Sequence, residues 1–492
     1  MTPDTDSRYS ALLSRDPRFD GVFYVGVTST GIYCRPVCTA RTPKAANCRF
    51  FDSAEAAEKA AFRPCLRCRP ELAPGNAPVD DAHRIATLLV YRIEEGMLDN
   101  GTGLEEVAAK FGWSSRQIRR IVHKELGVSP IELVLTRRLL LAKQLLTETR
   151  LPMTDVAFAS GFSSLRRFND AFSERYGVPP TRLRKVADDM TTTPASSDSF
   201  TLQLVYRPPF DWDGILRFLR ARTLKGVEHV GEDSYLRTIR LGTHTGWIHV
   251  RHAPAKRALT VELTHSLTPV LPALLGRLRN VFDLSARPDL ISEQLMHDPM
   301  LTDIVAQNPG MRVPGAFDGF ELAVRAVLGQ QITVKAATTL AGRYVDAFGE
   351  RLDTPHHSLT HVAPTAHRVA GLTVDDIATL GIIQSRARSI IMLADEIASG
   401  RLTLDAGADP ESTMARLTAI PGIGKWTAHY IAMRALRWPD AFPKEDVVLR
   451  NKLGGVSAAR AEELSQPWRP WRSYATLHLW HGAVQHRADL PD

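Results

Sequence analysis

Val107-Ala-Ala-Lys-Phe-Gly-Trp-Ser-Ser115 returns 49 residues later as Val156-Ala-Phe-Ala-Ser-Gly-Phe-Ser-Ser164, and Gly127-Val-Ser-Pro130 returns 50 residues later as Gly177-Val-Pro-Pro180. One unit is written twice, with apolar residues at helical spacing in each copy. In the first copy, Leu104 to Val122 predicts a helix, a turn at Gly112, a cap at Ser114-Ser115, and a second helix carrying Arg116, Arg119 and Arg120. In the second, Asp155 to Phe172 repeats the plan with Arg166, Arg167 and Asn169 on the later helix. Each copy reads as a helix-turn-helix. Residues 116–187 hold 14 Lys+Arg against 6 Asp+Glu, so this stretch is more basic than the whole chain, which carries +7.

A single helix-turn-helix pattern is also met in ordinary helical packing; duplication argues for nucleic-acid binding. With the long helix containing Arg137 to Lys143 between the copies, residues 81–186 resemble the AraC-type DNA-binding domain. Two later helices on one chain reach successive major-groove segments about 34 Å apart, so one chain can read a site without dimerising. Base-reading residues are expected among Arg116, Gln117, Arg166 and Asn169, with Arg119 and Arg167 beside them. Arg120, Arg137 and Lys143 are expected at phosphates or water.

Outward from this core, 492 residues imply several domains. A Pro/Gly-rich stretch, Pro70 to Val79, and a polar run, Asp188 to Ser199, bound the repeated unit. The expected divisions are 1–79, 80–187, a linker 188–199, a mixed α+β segment 200–287 and a helical segment 288–492. With 44% hydrophobic and 23% charged residues and no apolar run of membrane-spanning length, neither a disordered chain nor a helical membrane protein fits. The start, Met1 to Ser10, lacks a basic and apolar secretory pattern, so a cytoplasmic, nucleoid-associated location is expected.

All five cysteines lie within the first 68 residues. Cys34-x3-Cys38 and Cys65-x2-Cys68 form two knuckles whose thiolates can converge on one tetrahedral Zn²⁺ at about 2.3 Å. Zinc fits these separated pairs better than an iron–sulfur cluster or a cytosolic disulfide framework. Cys48 is left over, a small residue for an apolar setting. Tyr24 to Cys38 and Phe62 to Pro70 strongly resemble the Ada-type methyl-acceptor domain over residues 8–72. The resemblance implies one Zn²⁺, structural and catalytic at once, and makes Cys34 the nucleophile that irreversibly takes a methyl group from a DNA methyl phosphotriester. Four thiolates around Zn²⁺ are doubly negative, and methylating one leaves the site singly negative, which weakens its repulsion of DNA. Arg35, Arg41, Arg49, Arg63, Arg67 and Arg69 surround the knuckles as phosphate contacts or as a solvated basic face.

Near the other end, Leu417 to Ala428 contains Pro421-Gly422-Ile-Gly424 between two helical stretches. The glycines let backbone N–H groups approach a phosphate, although the turn taken alone is equally compatible with ordinary helix capping. About twenty residues on, Glu445-Asp446 precedes an apolar helix start, where the helix dipole favours a carboxylate. Hairpin and carboxylate resemble the helix-hairpin-helix DNA glycosylases. Tyr206 to Trp212, Phe317 to Glu321, Leu328 to Gln331, Gly349 to Asp353 and Trp468 to Tyr474 extend the likeness to the AlkA-type 3-methyladenine glycosylases over residues 200–488. The resemblance implies Asp446 as catalytic carboxylate, Glu445 as its solvated neighbour, and Phe218, Trp426, Tyr430 and Trp480 as lining of the base pocket. For each aromatic, core packing explains the residue equally well without the family.

Two positions depart from the wider pattern. Trp426 stands where lyase-active relatives carry a Schiff-base lysine, with Lys425 one residue early, so no strand cleavage is expected. The family's intercalating leucine falls at Gln331, with Ile332 beside it. The absence of cysteines after Cys68 also excludes an iron–sulfur cluster behind the hairpin. The sequence therefore implies a multidomain chain: a small α+β zinc domain, an all-α double helix-turn-helix domain, an α+β AlkA-type N-terminal domain and an all-α helix-hairpin-helix glycosylase domain. The expected function is alkylation repair with regulation of the response, in a monomer that meets alkylated and promoter duplex DNA and RNA polymerase. The alternative is a transcription factor whose C-terminal domain binds damaged DNA without cleaving it.

Overall fold

The computed structural model describes residues 5–16, 19–70, 73, 89, 90, 93, 96, 98, 103–110, 114–188 and 198–488. The chain divides into two compact units. One comprises 1–208, 252–276 and 284–286; the other comprises 209–251, 277–283 and 287–492.

In the first unit, α1 (Thr5–Ser14) is followed by a small sheet of β1 (Tyr24–Val27), β2 (Ile32–Cys34), β3 (Cys48–Phe51) and β4 (Arg63–Pro64), in the order β3-β1-β2-β4. α2 (Ala54–Lys59), capped by the Ser53 hydroxyl accepting from Ala56 N–H, covers it. Tyr33, Ala54, Ala57 and Phe62 form a core there. Gly26 at the centre of β1 has no alternative: a Cβ would meet the Phe51 and Phe62 rings at 2.7 and 2.9 Å. β2 and β4 run parallel with Tyr33 opposite Pro64, and Cys65 N–H donates to the Tyr33 carbonyl. That register is what sets Cys65 beside Cys34.

The repeated unit folds as α3 (Leu104–Lys110) with α4 (Ser115–Leu126), and α6 (Met153–Ala159) with α7 (Leu165–Tyr176), joined by α5 (Pro130–Glu148) and closed by α8 (Pro180–Asp188). The Gly112 turn lies outside the described residues, as do 189–197 of the expected linker and most of the Pro70–Val79 stretch. The second copy shows how the repeated letters work. Ser164 caps α7 by accepting from Arg167 N–H, Gly177 ends α7 in the left-handed region, and Pro180 opens α8. The first copy matches it with left-handed Gly127, Pro130 at the first position of α5, and a capping box between Ser129 and Glu132. At 19 residues, α5 is about 28 Å long.

α5 also packs against the small sheet domain. Glu58 of α2 is buried and accepts from Tyr33 Oη at 3.0 Å, Thr136 Oγ1 at 2.7 Å, and the Arg175 guanidinium of α7. Lys143, expected at phosphate or water, is instead fully buried and donates to the Cys65 carbonyl at 3.0 Å. Arg69 reaches Glu148 at 3.1 Å. Beyond the helices, β5 (Ser199–Val205) pairs antiparallel with β9 (Ala258–Thr264). The next residues carry Arg207, fully buried, whose Nε donates to the Asp20 carbonyl at 2.9 Å and whose Nη1 donates to the Ser285 carbonyl at 2.9 Å.

In the second unit, β6 (Glu228–Val230), β7 (Ser234–Leu241) and β8 (His244–Ala253) form an antiparallel meander. α9 (Trp212–Arg220) is capped by the Asp211 carboxylate, which accepts from Gly214 N–H. The remainder is helical apart from a two-residue pairing of β10 (Glu350–Arg351) with β11 (His361–Val362). It includes α13 (Gly319–Leu328), α14 (Val334–Phe348), α17 (Gln384–Ala398), α18 (Pro410–Ala419), α19 (Lys425–Arg434), α20 (Val447–Lys452) and α22 (Arg472–Ala488). Buried charges here are paired: Arg237 and Arg325 hold Glu228 and Glu321, and Arg472 holds Asp440. The other α-helices among the described residues after residue 250 are α10 (Leu271–Val281), which begins in the first unit, α11 (Pro288–Met296), α12 (Pro299–Gln307), α15 (Ala366–Ala370), α16 (Val374–Ala378) and α21 (Ala458–Leu464).

Candidate functional sites

The sulphurs of Cys34, Cys38, Cys65 and Cys68 lie within 4.8 Å of one another. Each knuckle is a turn closed by its own backbone, Cys38 N–H to the Arg35 carbonyl and Arg69 N–H to the Cys65 carbonyl. Four thiols this close cannot all ionise unaided: hydrogen bonds from Cys38, Cys65 and Cys68 push Cys34 up, and those from Cys34, Cys38 and Cys68 pull Cys65 down. Soft donors, sulphurs close enough to share one ion, and a cluster that needs a cation to carry four negative charges all fit Zn²⁺. Cys48 stands apart at the edge strand, its thiol donating to the Lys44 carbonyl at 3.4 Å.

Of the arginines near the knuckles, Arg41, Arg49, Arg63 and Arg67 are exposed. Arg35 and Arg69 are committed internally. Arg35 is forked onto the Asp20 carboxylate, donates from Nη1 to the Cys68 carbonyl at 3.2 Å, and donates its backbone N–H to Cys68 Sγ at 3.3 Å. It braces the cluster from inside and is occupied there.

On the helix-turn-helix units, Arg116, Arg119, Arg120, Arg166 and Arg167 are exposed and Asn169 is half-buried. The side chain of Gln117 lies outside the described residues. Beneath these residues, Ile118 and Val122 of α4 and Phe168 and Phe172 of α7 are fully buried. Each helix thus turns one apolar face inward and a basic face to solvent.

At the hairpin between α18 and α19, Gly422 takes φ +88° and a Cβ there would lie 2.4 Å from Ser389 Oγ. Ser389 in turn donates to the Pro421 carbonyl at 2.6 Å. Ile423 is buried as the anchor, while Gly422, Gly424 and Lys425 are exposed and no side chain caps the start of α19. Its first N–H groups are left for an anion. Gln330, which sequence reasoning quoted without a role, donates to the Gly422 carbonyl at 2.8 Å and contacts Thr427 Oγ1 at 3.0 Å. The neighbouring Gln331 is exposed with φ +54°, at the tip between α13 and α14.

Asp446 is the N-cap of α20, its Oδ1 accepting from Leu449 N–H at 2.8 Å. Trp426 Nε1 donates to Oδ2 at 2.8 Å and Trp480 Nε1 to Oδ1 at 3.2 Å. Trp426 lies parallel to Tyr430, with centroids 5.5 Å apart and planes 7° from parallel. Two indoles distant in sequence thereby converge on one carboxylate. Phe218 differs from a free platform, because Arg222 lies over its ring at 3.9 Å and Arg434 at 4.8 Å. Arg434 also donates to Tyr430 Oη at 2.7 Å. Burial alone pushes the Tyr430 hydroxyl up, but Arg434 and Arg222 outweigh it and bring it down to about 8. Glu445, expected to be solvated, is half-buried, and its Oε2 is buried without a hydrogen bond among the described residues. The cause is the tight turn before α20, which the letters Lys444-Glu445-Asp446 do not reveal.

Four family profiles match the chain: the metal binding domain of Ada over 7–71, a helix-turn-helix domain over 107–186, the AlkA N-terminal domain over 201–318, and the HhH-GPD superfamily of base excision DNA repair proteins over 324–469. A probable bifunctional transcriptional activator/DNA repair enzyme AlkA of Mycobacterium tuberculosis is 40% identical over 98% of this chain and 97% of its own length. DNA-3-methyladenine glycosylase 2 of Escherichia coli is 34% identical over 56% of this chain and 96% of its own. The solved structure of a 3-methyladenine DNA glycosylase from Archaeoglobus fulgidus shares the fold, with a TM-score of 0.51 at 20% identity over 57% of this chain and 97% of that one. Among the described residues, no helix is long and apolar enough to cross a membrane.

Proposed function

The chain belongs to the family of bifunctional transcriptional activators and DNA repair enzymes that joins an Ada-type metal-binding domain, a helix-turn-helix domain and an AlkA-type glycosylase, and from that premise we propose what each chemical site does. The C-terminal unit excises alkylated bases such as 3-methyladenine as a monofunctional glycosylase, and Cys34 accepts a methyl group from DNA methyl phosphotriesters. The observation that carries the reading is the convergence of Trp426 and Trp480 on Asp446 downstream of the glycine hairpin.

An alkylated purine already carries positive charge, so its departure from C1′ takes the bonding electron pair with little need for protonation. The positive charge then develops on the sugar, and a fixed carboxylate stabilises it before water adds and loses a proton. Asp446 has that role. Trp426, Tyr430 and Trp480 offer π surface to a cationic base, and the exposed hairpin glycines grip the flanking phosphate. Gln331, or Ile332 beside it, is the candidate to fill the vacated stack. Trp426 in place of a lysine leaves no amine for a Schiff base.

Cys34, Cys38, Cys65 and Cys68 would hold one Zn²⁺, which would supply the positive charge that keeps the thiols ionised at neutral pH. Cys34 Sγ forms the bond to the methyl carbon, the carbon–oxygen bond breaks, and its electron pair stays on the phosphate oxygen as an ordinary diester anion. The loss of one negative charge then favours DNA, to which Arg116, Arg119, Arg166, Arg167 and Asn169 are presented at promoter sites where RNA polymerase is recruited. The protein acts as a monomer.

Incubating the full chain with methylated duplex DNA tests both halves. The expected result is one methyl per chain on the peptide containing Cys34, together with released 3-methyladenine and intact abasic strands. Asp446→Asn should cut base release by roughly 10²-fold or more while methyl uptake continues. Wild-type base release by Asp446→Asn, or a borohydride-trapped adduct, contradicts the glycosylase reading; no methyl on Cys34 contradicts the acceptor reading.

A further inference from the structure

The donors around Asp446 are distributed unevenly. Oδ1 accepts twice, from Leu449 N–H and Trp480 Nε1, whereas Oδ2 accepts once, from Trp426 Nε1. A carboxylate oxygen has two in-plane lone pairs, so Oδ1 is saturated and Oδ2 keeps one. We propose that Trp426 and Trp480 are positioning residues as well as pocket walls: their N–H groups fix the rotation of the carboxylate so that Oδ2 is the oxygen offered to the developing sugar cation. This rests on Asp446 being the catalytic carboxylate.

The Trp426 ring is held in turn. It lies parallel to Tyr430, and Tyr430 Oη is fixed by Arg434, whose Nε and Nη2 donate to the Pro314 and Gly315 carbonyls at 2.8 and 3.1 Å. Arg434 is itself only 5% exposed, so the chain of contacts runs from a buried anchor to the reacting oxygen. One ring therefore has two duties, with a face for the base and an edge for the carboxylate. A base that shifts Trp426 also shifts Oδ2, which ties recognition to bond cleavage.

Phenylalanine keeps the ring and removes the N–H. In the full chain, Trp426→Phe and Trp480→Phe should each lower the single-turnover rate of base release from methylated duplex DNA by about tenfold. The protein concentration giving half-maximal rate should stay within about twofold, and so should affinity for duplex DNA carrying an abasic-site analogue. Rates within about twofold of wild type for both variants overturn the proposal, as does a loss confined to half-saturation, which is the mark of stacking alone. Thermal melting identifies a variant that fails to fold, and the other then decides. Asp446→Asn run in parallel separates the two layers. If it is as active as wild type, the catalytic reading has failed; if it is inactive while both phenylalanine variants are active, only the positioning inference has.

Discussion

The cysteine cluster and the Asp446 site are built in opposite ways, and on the proposed reading each makes a group reactive. At the cluster, four like groups are crowded until a cation is required, and two knuckles and one parallel strand register suffice to assemble it. At Asp446, one carboxylate is bound by unlike donors from α19, α20 and α22, and orientation does the work that charge does at the cluster. A crowded site must lose its reactivity once a ligand sulphur is capped, which suits a single use. A site built by orientation is unchanged after the base leaves, which suits turnover. On the proposed reading, stoichiometric and catalytic chemistry in one chain differ in what holds the reactive atom.

Removing the cation should have the largest effect. Exhaustive chelation is expected to abolish methyl uptake by Cys34 and unfold the sheet around it, because a closed thiolate site contributes on the order of 10 kcal/mol to such small folds. Base release should persist. Elemental analysis with limited proteolysis measures the first effect and a glycosylase assay the second; loss of both together would show that the two chemistries share one stability.

A smaller effect is expected where the helix-turn-helix domain braces the cluster. Lys143→Met keeps the buried length but leaves the Cys65 carbonyl without this donor. A cost of about 1–3 kcal/mol should appear in calorimetry of the N-terminal transition, with base release unaffected. An unchanged transition would mean that α5 adds nothing to the knuckle.

The smallest effect concerns Tyr430. Its hydroxyl is held down at about 8 by Arg434 and Arg222, below the ordinary value near 10. A depressed acid stabilises the fold above its unfolded value, and that stabilisation is lost as pH falls through about 8. Tyr430→Phe should therefore cost about 1 kcal/mol more at pH 9 than at pH 7. A wild-type tyrosinate absorbance rising near pH 8, absent in the variant, checks the assignment.

Much of this was legible in the letters, for a physical reason in each case. Cysteine spacing is a local constraint, and the 49-residue echo carries its own caps, as Ser164 and Gly177 show. Burial was harder to read. Lys143 sits four residues after Leu139 and three before Leu146, on the buried stripe of α5, so helical spacing held the signal that its charge concealed. Phe218 was readable as an aromatic near a pocket, but the arginines on its faces arrive from Arg222 one turn later and from Arg434 two hundred residues away. The indole donors to Asp446 are non-local in the same sense. Residue type announces a ring, and only the fold reveals which edge of it is polar.

Arg207 joins stretches of the chain that lie far apart in sequence. Its guanidinium lies fully buried between the Asp20 carbonyl, near the cysteine knuckles, and the Ser285 carbonyl, far along the chain. Asp20 precedes the polar run before Phe200, whereas Arg207 and Ser285 follow it, so the contact with Asp20 is intramolecular only while that run is unbroken. The linker thereby sets the effective concentration of one partner for the other: a chain cut there would have to find by diffusion a contact that the intact chain makes for the cost of closing a loop.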